Sequence, residues 1–328
     1  MFISIFNAVE SGVIYAIMAL GVYLSFRVLD FPDLTVDGSF VTGAAVAALS
    51  ISNGMSTIMA TLLALLAGFI AGGLTGILNT KGKINPLLSG ILMMTGLYSI
   101  NLRIMGQSNI PLLNEQTLFT KLVDGWSKLG IDRGISSLLN SIGLDRVPRT
   151  WGILIVMLIV TFVIKLVLDY FLKTELGLAL RATGDNENMI RSFSANTDHL
   201  KILGLGLSNG LVAVSGALYA QYAGFADLNM GIGMIVIGLA SVIIGESVIG
   251  TKTITRTTLA IIVGAIVYRI VMTLALRAPF LDTGDMKLIT SILVIAALIV
   301  PKIVTGHKET KRKKIKRLAL EQRLKGDA

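Results

Sequence analysis

Apolar residues gather along this chain in runs too long for strands and too continuous for amphipathic surface helices. A bilayer-spanning helix needs about 20 mostly apolar residues. Such windows fall at roughly 5–26, 35–51, 56–78, 87–105, 151–172, 200–222, 232–250, 257–276 and 286–304. The pattern predicts an all-α polytopic membrane protein of about nine transmembrane helices. A membrane β-barrel would show short alternating segments instead. Two interruptions are long enough to be elements of their own, 106–150 and 173–199. Residues 1–304 then form one transmembrane domain, and 305–328 a polar tail.

Composition agrees. Hydrophobic residues make up 53% of the 328 and charged residues 15%, with a mean hydropathy of +0.76. A soluble globule carries roughly a quarter charged residues, and a disordered chain far less apolar surface. The chain has no cysteine and two histidines, His199 and His307. Disulfides, thiolate chemistry and a His-rich metal site are thereby excluded. No cluster with catalytic spacing is present, so no enzymatic activity is expected. The Gly-x-x-x-x-Gly-Lys-Ser/Thr loop that cradles nucleotide phosphates is also missing.

The net charge of +9 is uneven. Nine Lys/Arg against three acids from Lys308 onward place +6 in the tail. Anionic lipid headgroups account for such a tail beside a hydrophobic span, and no folded domain accompanies it to suggest nucleic acid. The positive-inside rule puts the tail in the cytoplasm and, with nine spans, the N-terminus outside. Lys81 and Lys83, then Lys173, Arg181 and Arg191, then Lys252 and Arg256 fall inside. Segment 106–150 falls outside, where 118–144 spaces apolar residues in the rhythm of short surface helices.

Glycines crowd the third span (Gly68, Gly72, Gly73, Gly76) and the sixth (Gly204, Gly206, Gly210, Gly216). Small residues let helix backbones approach in lipid. A further pattern is an internal echo. Phe31-Pro32-Asp33-Leu34-Thr35 follows the first span and Phe225-Ala226-Asp227-Leu228-Asn229 the sixth. By the topology above the two motifs face opposite sides, which is how inverted-repeat transporters are built. Asp33, Thr35, Asp37, Asp227 and Asn229 are therefore expected to border a translocation route. The bland alternative is two unrelated turns in which Asp caps the next helix.

Other ionisable residues inside the spans include Glu10, Arg103, Lys165, Glu246 and Arg269. Lys165 and Arg103 are expected to snorkel toward the headgroups, as is Glu246. Arg269 is mid-span and needs a carboxylate partner, with Glu10 and Glu246 the candidates.

The stretch 173–199 is too polar to span and too patterned for a linker. Thr183-Gly184-Asp185 reads as a helix start, with Asn186 following, Glu187 in the first turn and Arg191 in the last. Met189, Ile190 and Phe193 give the short helix over 183–193 an apolar edge. Such an edge suits a groove on a soluble partner.

Leu176-Gly177 followed by Arg181-Ala182-Thr183-Gly184-Asp185-Asn186-Glu187 resembles the cytoplasmic signature of permease subunits of the ribose and branched-chain amino acid class of ABC importers. Asp33-Leu34-Thr35-Val36-Asp37-Gly38-Ser39 is similar to that family's polar motif ahead of an early helix. Gly76-Ile77 through Lys81-Gly82-Lys83-Ile84 and Leu239-Ala240-Ser241-Val242-Ile243-Ile244-Gly245 follow in the family's order, so the resemblance covers about residues 10–300. The chain departs at Ser194-Ala195-Asn196-Thr197, where many relatives carry a glycine. It departs again at Gly245-Glu246-Ser247, where sugar permeases show paired glycines. The form from Phe31 to Ser39 looks most like a subgroup associated with aromatic amino acid uptake.

The resemblance implies a non-catalytic permease subunit in the cell membrane. It would pass a small solute, an amino acid such as tryptophan or tyrosine, from an extracellular substrate-binding protein to the cytoplasm. It also implies that 173–199 carries the coupling helix seated on an ATPase, as two ATP-binding cassette subunits holding ATP and Mg, with no cofactor in this chain. Nine spans are few for a complete transporter and two-fold dimers are the commonest assembly, so a homodimer is expected. An ion-coupled secondary transporter is the alternative, which the scarcity of mid-span acids disfavours. An ABC permease for a sugar or nucleoside is another.

Overall fold

The computed structural model describes residues 2–128, 132, 148, 150–193, 196–276 and, beyond these, 288, 289, 291, 292, 295 and 299. α1 (Phe2–Tyr23) runs on into a π-helical turn at Leu24–Val28, followed by α2 (Thr35–Ser52), α3 (Thr57–Thr80), α4 (Pro86–Met105) and α5 (Leu118–Lys128). Then come α6 (Gly152–Lys173), α7 (Glu175–Asp185), α8 (Glu187–Ser192), α9 (Thr197–Ala223), α10 (Met234–Ile249) and α11 (Ile254–Ala275). Among the described residues, seven helices are long and apolar enough to cross a membrane: α1, α2, α3, α4, α6, α9 and α11. α10 is apolar but shorter. The first eight expected spans thus each fall on a helix. The ninth, 286–304, lies mostly outside the described residues, as does most of 129–149, and the tail 305–328 lies wholly outside them.

One element departs from the all-helical expectation. β1 (Asn109–Pro111) and β2 (Phe225–Asp227) pair antiparallel, with Asn109 opposite Asp227. Gly106 and Gly224, both left-handed, end α4 and α9 just before them. The two exiting segments satisfy each other's backbone groups where no helix continues. This hairpin-like pair, whose strands lie far apart in sequence, marks one end of the bundle, and α7 with α8 marks the other.

Burial separates a central trio from a shell. The apolar windows of α1, α2 and α9 are 83%, 72% and 72% buried, against 22–44% for the other spanning helices. α1 and α9 run antiparallel, tied where Ser208 Oγ donates to the Gly21 carbonyl (2.7 Å) and Ser215 Oγ to the Ile14 carbonyl (2.8 Å). A Cβ on Gly21 would sit 2.6 Å from the Ser208 carbonyl oxygen, so the approach depends on glycine. α3 packs along α9 through Gly68, Gly72 and Gly76, which meet Asn209 and Ala213, Leu205, and Ile202 in turn. The glycine-rich third and sixth spans are therefore partners. The outward stripe of α3, Ile58, Leu62, Leu66, Ile70 and Leu74, is exposed at every fourth residue, as a lipid-facing helix requires.

The shell also corrects the expected snorkelling. Lys165 is 2% exposed and pairs with Asp169 one turn on, and the Thr258 hydroxyl donates to the same carboxylate (2.6 Å). A buried Lys–Asp–Thr network joining α6 to α11 satisfies the charge that lipid could not. Glu246 does not reach alone for the headgroups either, since it pairs with Arg27. Arg103 is exposed.

Candidate functional site

The chain between α1 and α2 turns back inside the bundle. Asp33 is fully buried there, its Oδ1 accepting from the Thr35 amide (2.9 Å) and its Oδ2 from Asn209 Nδ2 (2.6 Å) in the middle of α9. Thr35 Oγ1 lies 2.8 Å from Thr75 Oγ1 on α3. Both residues thus bind the interruption to neighbouring helices, and neither faces open space.

Asp37 does something the sequence did not reveal. From the first turn of α2, Oδ2 accepts from the Gly233 amide (2.9 Å) and Oδ1 from the Ile235 amide (2.8 Å). Those are free N–H groups at the start of α10, and a carboxylate there is favoured by the helix dipole as well. Gly233 has φ +85, a left-handed conformation that glycine adopts without strain. The segment after β2 therefore dips inward to start α10 against the first turn of α2. The two interruptions meet through Asp37.

The second motif repeats the first in local geometry. Asp227 Oδ1 accepts from the Asn229 amide (2.7 Å), the same turn that Asp33 makes with Thr35. A longer contact, 3.5 Å, comes from Asn109 Nδ2 across the hairpin. Asp227 and Asn229 open into a cavity of about 610 Å³ whose walls include Tyr15, Tyr219, Phe225 and Arg269. Asp37 lines a different one, of about 380 Å³, with Tyr98 and Asn101, and Ile232 stands between the two.

Among the described residues, Arg269 meets neither of the candidate acids. Its Nε donates to Ser11 Oγ (3.1 Å) and its guanidinium lies over the Tyr15 ring, 4.6 Å from the centroid. Glu10 instead accepts from the Tyr222 hydroxyl (3.1 Å) and Glu246 is taken by Arg27. Tyr15 and Tyr219 are in contact at 4.9 Å between centroids, so this wall of the cavity is aromatic with a cation above it. Sequence reasoning missed Tyr15 and Tyr219. The spacing of Tyr219 and Tyr222, three apart on one helix face, was the available signal.

At the other end, the segment 183–193 is two helices rather than one. Asp185 is the last residue of α7, whose Thr183 hydroxyl donates back to Ala179 (2.8 Å) and whose Gly184 packs on the Val28 carbonyl. The start of α8 moves to Asn186, extended at φ −158, whose side chain accepts from the Met189 amide (3.0 Å). The expected start lost because Thr183 found an acceptor within its own helix. Glu187 and Arg191 pair with each other (2.9 Å), and both reach α9: Glu187 to Lys201 (2.7 Å), Arg191 to Thr197 (2.9 Å) and Asp198 (3.2 Å). Partial burial works against the Glu187 charge. The Lys201 ammonium, with Arg191 and the Thr197 hydroxyl, outweighs that and holds the carboxyl below its usual range. Met189 is 46% and Phe193 75% exposed, and Ile190 is half-buried.

Residues 4–300 match the family described as branched-chain amino acid transport system permease components. The chain belongs to that family. The permease is similar to the tyrosine transport system permease protein of Clostridioides difficile, 43% identical over 96% of this chain and 97% of the relative. An uncharacterized protein of Rickettsia prowazekii is 35% identical over 89% and 95%. Among solved structures, PsaBC from Streptococcus pneumoniae in complex with Fab has a TM-score of 0.50 at 12% identity, covering 90% of this chain and 89% of that one. That likeness concerns the fold alone. The permease is a multi-pass cell-membrane protein, a transport subunit of the ABC type, and non-catalytic as its family is. Such components work with ATPase and binding-protein partners.

Proposed function

We propose that this permease is the membrane subunit of an importer for aromatic α-amino acids. Two copies sit on two ATP-binding cassette subunits, with the α7–α8 end in the cytoplasm and the hairpin end outside. The ATPase holds ATP and Mg, and an extracellular substrate-binding protein delivers the solute to the hairpin end. Nine helices span, the ninth over 286–304, with 305–328 as a basic tail against anionic lipid. The two Asp turns are corresponding parts of an inverted repeat. In it Asp33 and Thr35 support the backbone, Asp37 joins the halves, and Asp227 and Asn229 border the route. The similarity to a permease named for tyrosine transport supports the aromatic substrate.

The observation that carries the coupling role is α8. Its charged residues are used up in fixing it to α9, while Met189 and Phe193 stay exposed. A helix that is pinned on one side and apolar on the other is ready for a groove on a second chain. Full burial of each such side chain contributes about 1.5–3 kcal/mol. Phe193→Ala should therefore lower the fraction of ATPase that co-purifies and reduce both solute uptake and substrate-stimulated ATP hydrolysis. Full rates in an assembled Phe193→Ala complex would remove α8 as the transmission element.

A further inference from the structure

The geometry points to a recognition subsite for an aromatic α-amino acid inside the permease itself, in the cavity between the hairpin and the head of α10. The inference rests on the substrate reading above and adds where the permease contacts that substrate. A free amino acid is a zwitterion with an aromatic body, so a site that reads it needs a cation, an anion and a ring wall. The cavity of about 610 Å³ brings these to one space: Arg269, Asp227, and the rings of Tyr15, Tyr219 and Phe225.

The roles follow from what is already committed. The α10 N-terminus, the other attractive place for a carboxylate, is occupied by Asp37. Among the described residues no acid pairs with Arg269, whose Nε is fixed by Ser11 and whose plane is set by Tyr15. An arginine held in this way presents its terminal nitrogens as a fork to a carboxylate. Asp227 lies at the hairpin, half-buried, and provides the negative end for an ammonium. Tyr219 is half-buried and Phe225 is 41% exposed, so ring surface is open to a ligand between these charges. Aromatic pairing adds to burial for a ring of the same kind. A structural Arg269 alone would need neither the anion nor the ring wall in the same cavity.

The test uses the permease assembled with its ATPase in lipid nanodiscs, without binding protein, and tritiated tyrosine as the probe. Binding should be saturable. Tyramine, which lacks the carboxylate, and 4-hydroxyphenylpropionate, which lacks the ammonium, should each compete at least tenfold less well than tyrosine. Arg269→Gln and Asp227→Asn should each weaken binding tenfold or more, with Arg269→Lys falling between Arg269→Gln and the native protein. If Arg269→Gln fails to assemble, Asp227→Asn and Tyr219→Leu carry the test. No saturable binding, or binding unchanged in the assembled variants, overturns the subsite. Import by the complete system with its binding protein separates the two readings. Tyrosine import with no effect of the variants defeats the subsite alone, whereas import restricted to another solute class defeats the substrate reading.

Discussion

Single polar side chains set the geometry of this bundle because lipid cannot satisfy the groups they bind. Asp33 accepts from Asn209 Nδ2 and from the Thr35 amide with no exposure to solvent. Asp33→Asn keeps the shape but turns one amide donor toward another. An unsatisfied buried donor costs about 1–3 kcal/mol, so the variant should melt lower in detergent and import more slowly. Adding Asn209→Asp restores a donor–acceptor pair and should recover much of both losses. Thermal unfolding of the single and double variants decides this, and no recovery would mean that the contact is incidental. Asp37→Ala removes the acceptor for two amides at the head of α10, with a cost of roughly 1–3 kcal/mol for each group left unpaired. Uptake should fall further here than with Asp33→Asn, because the contact joins the two interruptions.

At the scale of elements, α8 is a six-residue helix that exists because of its cap and its charges. Asn186→Ala should destabilise it by about 1 kcal/mol, read as faster amide exchange from Met189 to Ser192. Glu187 makes the same helix sensitive to acid. Its folded carboxyl titrates below the ordinary value of 4.5, so its contribution is complete above that pH and disappears as pH falls through the depressed value. The protection of α8 amides, measured against their intrinsic exchange rate at each pH, should therefore fall as pH drops below 4.5, and Glu187→Gln should flatten that response while Asp198 still faces Arg191. The element-level reading of the sequence succeeded where a repeating pattern carried it. The first eight spans and the close packing at the glycines of α3 and α9 follow from periodicity and side-chain size, whereas that these two helices pack on each other does not. The start of α8 was misplaced because Thr183 and Asn186 are both competent caps, and only the backbone turn after Asp185 chooses between them. The α10–Asp37 contact and the Arg269–Tyr15 wall join residues far apart in sequence. No local spacing encodes them.

For the whole molecule, the absence of cysteine from the chain makes topology directly readable, since one introduced thiol gives the only signal. Leu113, 82% exposed beside the hairpin, and Ser192, exposed on α8, mark the two ends of the bundle. A membrane-impermeant maleimide on intact cells should label Leu113→Cys and leave Ser192→Cys unlabelled until lysis. The reverse result would invert the proposed orientation and remove the ATPase from the α8 end. Assembly follows from the same picture. The central trio of α1, α2 and α9 packs tightly within one chain, while α3, α4 and α6 expose broad apolar faces. A route formed between two copies accommodates both facts, and a two-fold pair presents one α8 to each of two ATPase subunits. Native mass measurement of the complex purified from membranes should therefore give two permease chains with two ATPase chains. A single permease chain with full transport activity, or an obligate pairing with a different permease, would place the route within one chain or make it asymmetric, and the cavity beside Arg269 would then have to serve alone.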